Sequence, residues 1–136
     1  MSARFNQDEL LRAAQDASAR AYAPFSKFFV GAAILTSDGK IFTGCNVENS
    51  SYGLTNCAER TAIFTAIADR TDHRKLDIQA VAVVNRDGIP CAPCGACRQV
   101  IYEFGPNAII IYRGKSGNIE QTPIADLLPE GFRLGE

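Results

Sequence analysis

The chain holds a single histidine, no tryptophan, no excess of positive charge and no apolar run of the roughly 20 residues a membrane helix needs. Each shortage but that of tryptophan, which decides nothing, narrows what the protein can be. Fourteen Lys and Arg against fifteen Asp and Glu leave a net charge of -1, with no electrostatic footprint for holding a phosphate backbone, so a nucleic acid polymer is not an expected partner. The polar opening stretch, residues 1–8, does not resemble a signal peptide, and neither membrane insertion nor export is expected. The expected compartment is the cytoplasm. An even set of cysteines is also lacking: five is a poor count for a disulfide framework and suits a reducing compartment with metal-bound and free thiols. The one histidine, His73, lies in the charged run Thr71-Asp72-His73-Arg74-Lys75 and reads as a solvated side chain. No repeat, linker or low-complexity segment is present, and 136 residues imply one domain.

What is present concentrates in two stretches, Cys57-Ala58-Glu59-Arg60 and Pro93-Cys94-Gly95-Ala96-Cys97. Three thiols without a fourth protein ligand suit a catalytic zinc, which keeps one position open, better than a structural zinc, which is enclosed by four. Glu59, two residues beyond Cys57, is placed to act as a general base beside such a metal. The plainer reading of Glu59 is a capping box, in which Asn56 caps a helix and the residue three positions on bonds back. The second cysteine cluster favours the metal. CxxC also has a redox reading, which a third Cys and a Glu at a separate helix start weaken. Arg60 and Arg98 each follow a cysteine directly and are candidates to hydrogen-bond thiolate sulfurs, the alternative being a solvent-facing position. Cys45 reads as a small buried residue within a strand. Cys91 lies three residues before Cys94, so spacing leaves a 91/94 pair open, although the Pro-Cys helix start favours 94/97.

Periodicity and turn chemistry place a helix from an Asn6 or Asp8 cap to about Tyr22, strands over residues 28–36 and 41–47, and a helix from an Asn56 cap to about Asp69. A strand over residues 76–85, a helix opened by Pro93 and stopped by Gly105-Pro106, strands over 107–112 and 119–122 and a short helix over 123–128 complete the reading. This order implies an α/β protein with one mixed five-stranded sheet covered by helices. Alternation along the second strand puts Asn46 and Glu48 on one side of an extended chain. They either grip a hydroxyl-bearing ligand or simply face solvent.

With Asn46-Val47-Glu48-Asn49, Cys57-Ala58-Glu59-Arg60 and Pro93-Cys94-Gly95-Ala96-Cys97-Arg98-Gln99 in view, the chain resembles the small cytidine deaminases that form homotetramers. The likeness runs from Ala21-Tyr22-Ala23-Pro24 and Val30-Gly31-Ala32-Ala33 to Leu127-Leu128-Pro129 and Phe132. It implies the three-layer α-β-α fold of that family, one Zn²⁺ per subunit on Cys57, Cys94 and Cys97, and Glu59 as proton shuttle. It further implies Asn46 and Glu48 on the ribose, Phe28 packed on the pyrimidine and the backbones of Ala58 and Ala92 at the polar edge of the base. Tyr52 and Phe132 would reach across subunit interfaces. Phe29 departs from the family pattern, where proline is more usual, and opens the question of which Phe stacks on the base. The implied activity is hydrolytic deamination of cytidine and 2'-deoxycytidine, a step of pyrimidine salvage. The alternatives are a blasticidin-type deaminase of a modified nucleoside and a zinc or redox binding protein without catalysis.

Overall fold

A computed structural model describes residues 5–135; the first four residues of the polar opening stretch and Glu136 of the tail lie outside them. Four helices and five strands follow one another as α1 (Gln7–Ser18), β1 (Val30–Thr36), β2 (Ile41–Cys45), α2 (Ala58–Asp69), β3 (Ile78–Asn85), α3 (Gly95–Phe104), β4 (Ile109–Arg113), β5 (Ile119–Pro123) and α4 (Ile124–Leu127), with a 3-10 turn at Tyr52–Leu54 before α2. The sheet runs β2-β1-β3-β4-β5. Only β3 and β4 are parallel; the other pairs are antiparallel.

Side-chain alternation divides the core into two layers. Val30, Ala32, Ile34, Val81, Val83 and Ile110 face Ala58, Ala62, Ile63 and Ala66 of α2, Ile101 of α3 and Ile124 of α4. Ala33, Ala80, Ala82 and Ile111 point the other way and meet Leu10 and Ala14 of α1. Both faces of the three central strands are therefore covered, which is why β3 reads as a nearly continuous apolar run. The architecture is the three-layer α-β-α arrangement that the resemblance implied, with the mixed five-stranded sheet expected from the element order.

Several boundaries differ from the sequence reading. Asn6 caps α1 by accepting from the Glu9 N–H at 3.0 Å, but the helix stops four residues before Tyr22. Tyr22 bridges to Val47 instead, through Tyr22 N to Asn46 O and Glu48 N to Tyr22 O. The N-cap of α2 is Cys57 rather than Asn56. Asn56 has strand-like pairing with Val47, and its side chain donates to Thr61 Oγ1, so Glu59 is the second helical residue and the capping-box spacing is lost.

One close approach fixes where α2 begins. A Cβ on Gly44 would lie 2.4 Å from Ala62 N and 2.7 Å from Ala58 O, inside backbone that has no freedom to retreat. Glycine on β2 lets the helix that carries Cys57 and Glu59 rest directly on the strand. Gly44→Ala is expected to cost roughly 1–3 kcal/mol, the usual penalty of overpacking, read as a lower urea midpoint at unchanged m-value. An unchanged midpoint would mean that α2 does not sit on β2 as described.

Candidate active site

Two helix starts carry the reactive groups. Cys57 caps α2 and Cys94 caps α3, neither using its side chain as a cap hydrogen bond, so both thiols are left free to point elsewhere. Cys97, fully buried, lies one turn into α3. Together the three sulfurs lie within 4.8 Å of one another, with Cys57 Sγ and Cys94 Sγ 3.9 Å apart. Tetrahedral zinc with Zn–S bonds of about 2.3 Å requires sulfurs about 3.8 Å apart. The donor set therefore suits that ion in type, number and spacing. The 94/97 pairing is the one the fold assembles. Cys91 instead forms a backbone bridge to Arg113, and Cys45 turns its thiol to Arg20 O at 3.5 Å.

Charge makes the same point. The Cys57 thiol is drawn down to about 5 by a hydrogen bond from Cys97 and by the Arg60 guanidinium, whose Nη2 donates to Cys57 Sγ at 3.3 Å. Cys97 is pushed in the opposite direction, by its hydrogen bond to Cys57, by burial and by the charges of Glu59 and Cys57. The Cys57 thiolate is easy to form here and that of Cys97 is not, until a dication is present. Three thiolates, a dication and the Arg60 guanidinium then sum to zero. Arg98, expected at a sulfur, is used differently: Nε donates to Pro93 O at 2.8 Å and Nη1 to Leu127 O at 3.0 Å. It pins the start of α3 to the end of α4.

Glu59 is only 4% exposed. Burial, with the charge of Cys57 adding to it, raises its carboxyl to about 7, the range in which a group both takes and returns a proton near neutrality. Ala58 beside it is fully buried.

The polar pair Asn46 and Glu48 is more committed than the sequence suggested. Asn46 is buried, its Oδ1 accepting from Val30 N at 2.9 Å and its Nδ2 donating to Phe28 O at 2.8 Å. One amide N–H and one acceptor position remain. Glu48 accepts from Phe25 N at 2.9 Å, from Ser26 N at 3.2 Å and from the Ser26 hydroxyl. These bonds, the hydroxyl's foremost, hold its carboxyl below the ordinary range. A cleft of about 420 Å³ opens beside it, lined by Phe25, Ser26, Glu48, Tyr52 and Thr55. Phe28 packs against the α2 side of the core, whereas Phe29 lies under the Arg86 guanidinium, 4.2 Å from its ring centroid. Tyr52 is 75% exposed and leans on Phe25 with ring centroids 6.0 Å apart. Phe132, 65% exposed, sits in a tail latched to α3 by Gln99 Nε2 to Phe132 O and Arg133 Nη1 to Glu103 O. The fold thus gathers Cys57, Cys94, Cys97, Glu59 and Arg60, and leaves Tyr52 and Phe132 facing outward. Ser26 escaped the sequence reading, since a serine after Pro-Phe carries only a turn signal.

Residues 5–113 match the family model described as the cytidine and deoxycytidylate deaminase zinc-binding region. The chain belongs to this deaminase family. A cytidine deaminase of Sporosarcina psychrophila is 48% identical over 126 residues, covering 92% of this chain and 90% of that protein. Among solved structures, the cytidine deaminase of Burkholderia pseudomallei superposes with a TM-score of 0.83 at 50% identity, covering 94% of this chain and 100% of that one. The cytidine deaminase of Mycobacterium tuberculosis does so with a TM-score of 0.83 at 39% identity, covering 96% and 100%. The matched region holds both halves of the cysteine set and the glutamate between them.

Proposed function

We propose that this protein deaminates cytidine and 2'-deoxycytidine hydrolytically, giving uridine or 2'-deoxyuridine and ammonia. One observation carries the reading: a buried carboxyl stands at the start of the helix whose cap joins a three-thiol cluster. Zinc held by Cys57, Cys94 and Cys97 would supply Lewis acidity that brings the pKa of a water towards ~7. Glu59 accepts a proton from the attacking water and passes one to N3 of the base, which makes C4 more electrophilic. It then takes the remaining proton from the new hydroxyl on C4 and gives it to the departing amino group, so one water is consumed and one ammonia released. Because Glu59 is excluded from solvent, a proton it has taken up is passed to the substrate rather than lost to bulk water.

Recognition is assigned to Glu48, Asn46 and Phe28. The remaining acceptor position of Glu48 and the remaining N–H of Asn46 suit the hydroxyls of a ribose, and Phe28, on the α2 side, is the ring that packs on the pyrimidine. Phe29 is capped by Arg86 and is assigned to the scaffold. The backbones of Ala58 and Ala92 meet the polar edge of the base. Tyr52 and Phe132, with exposed Leu54 and Leu134 near them in sequence, support a homotetramer in which neighbouring subunits complete each pocket. A cytoplasmic role in pyrimidine salvage fits a nucleoside substrate and a thiol-held metal; among the described residues no helix is long and apolar enough to cross a membrane.

The test is ammonia release and the ultraviolet change on mixing zinc-loaded protein with cytidine, 2'-deoxycytidine, free cytosine and cytidine monophosphate. Turnover of the two nucleosides well above the base and the nucleotide is expected. Absence of turnover on both nucleosides at full zinc content would overturn the reading.

A further inference from the structure

We propose that Ser26 is a positioning residue that couples sugar recognition to base stacking, an inference that rests on the nucleoside deaminase reading. The Ser26 hydroxyl does two things at once. It donates its one proton to Glu48 Oε2 and accepts the N–H of Phe28 at 3.0 Å. The other side of Phe28 is held as well, its carbonyl accepting from Asn46 Nδ2 at 2.8 Å. Both peptide groups of the ring assigned to the base are therefore fixed by the side chains that face the sugar.

The carboxylate of Glu48 has about four acceptor positions. Phe25 N and Ser26 N occupy Oε1, and the Ser26 hydroxyl occupies one position on Oε2. What remains is a single acceptor on Oε2, so the serine also decides where a ligand hydroxyl can bond. Lys27, between Ser26 and Phe28, has φ 59, a left-handed conformation uncommon for a residue with a side chain. The Ser26–Phe28 bond spans that residue and retains it. Phe29 N-terminal to Val30 is tied down separately, by Arg86 N to Phe29 O at 2.8 Å and by the guanidinium on its ring. Residues 25–29 are thus anchored at both ends, with Ser26 as the one side chain joining Glu48 to Phe28.

The experiment compares cytidine with 2',3'-dideoxycytidine, which keeps the base and lacks the ring hydroxyls, in zinc-loaded parent, Ser26→Ala and Ser26→Thr proteins. Losing a hydrogen bond to a charged group commonly costs a tenfold to hundredfold factor in binding. Ser26→Ala is therefore expected to raise KM for cytidine about 10–100-fold with kcat within about threefold. The dideoxynucleoside should lose far less, so that discrimination between the two collapses. Ser26→Thr, which keeps the hydroxyl, should stay within about threefold of the parent on both. A loss equal on the two nucleosides, no loss, or a threonine variant no better than alanine would overturn the proposal while leaving the deaminase reading intact. A parent inactive on cytidine would remove that reading and this one with it. If Ser26→Ala does not fold, as judged by its thermal transition, Ser26→Cys supplies a nearly isosteric weak donor for the same comparison.

Discussion

Glu59→Gln is expected to lower turnover of cytidine by about 10²–10⁴-fold, the contribution of a positioned acid-base group, at unchanged zinc content. The same substitution should make the metal-free protein more stable. Burial raises the Glu59 carboxyl from 4.5 to about 7, while in the unfolded chain it ionises at its ordinary value. Between these pH values the folded protein retains a proton that the unfolded chain has lost. Stability relative to an uncharged side chain therefore falls as pH rises from 4.5 and levels off above 7. The full difference corresponds to roughly 3 kcal/mol. Cys57 titrates in both proteins, so comparing them leaves the carboxyl and its repulsion with the neighbouring thiolate as the difference. Urea unfolding of metal-free parent and variant at pH 5, 6, 7 and 8 should give midpoints that diverge as pH rises, the variant higher. Parallel midpoints would mean that Glu59 is solvated, and an active variant would remove it from the chemistry.

Zinc affinity should climb steeply with pH. Cys57, drawn down to about 5, is already a thiolate at neutrality, but Cys97 is held protonated by its hydrogen bond to Cys57, by burial and by neighbouring negative charge. Metal uptake must displace that proton, and each proton displaced makes the apparent affinity tenfold stronger per pH unit. Titration against a chelator between pH 6 and 8, corrected for the chelator's own protonation, should show at least this slope, and weakly buffered solution should acidify on zinc addition. A flat profile would mean that the three sulfurs do not bind as thiolates. Cys97→Ala, which removes the most enclosed sulfur, should abolish both tight binding and turnover.

The chemistry of this protein was more legible in its sequence than the shape of its pocket. Cys57, Cys94 and Cys97 announce themselves because metal binding demands particular atoms at short spacings, and helix starts are marked by local signals. A mixed five-stranded sheet was legible because β3 reads as a nearly continuous apolar run and turn residues separate β1 from β2; the order of its strands emerged only in the fold. Boundaries failed where distant pairing overrode local preference: the α1 pattern extends past Ser18, yet Tyr22 is claimed by Val47, and Asn56, an apt cap, is claimed by the same residue. Arg98 was misread because its neighbour in sequence is a metal ligand, whereas its reach is set by α4. Ser26 was invisible because its bond to Glu48, which gives its local bond to Phe28 a meaning, is made across 22 residues.

The separation between the two helix starts and the segments around them has a bearing on how such proteins change over time. The groups assigned to the bond-breaking step sit at the starts of α2 and α3, braced by β2 and by the carbonyls of Pro93 and Leu127. Those assigned to the rest of the substrate sit on the stretches 24–28 and 46–55 and on a tail beyond residue 113, where the shared family region ends. Substitutions at the exposed positions of these segments, Tyr52 and Phe132 among them, can therefore alter what enters without disturbing what happens to it. A single reaction can be inherited intact while its clientele diversifies, and a designer seeking a new substrate has the same freedom.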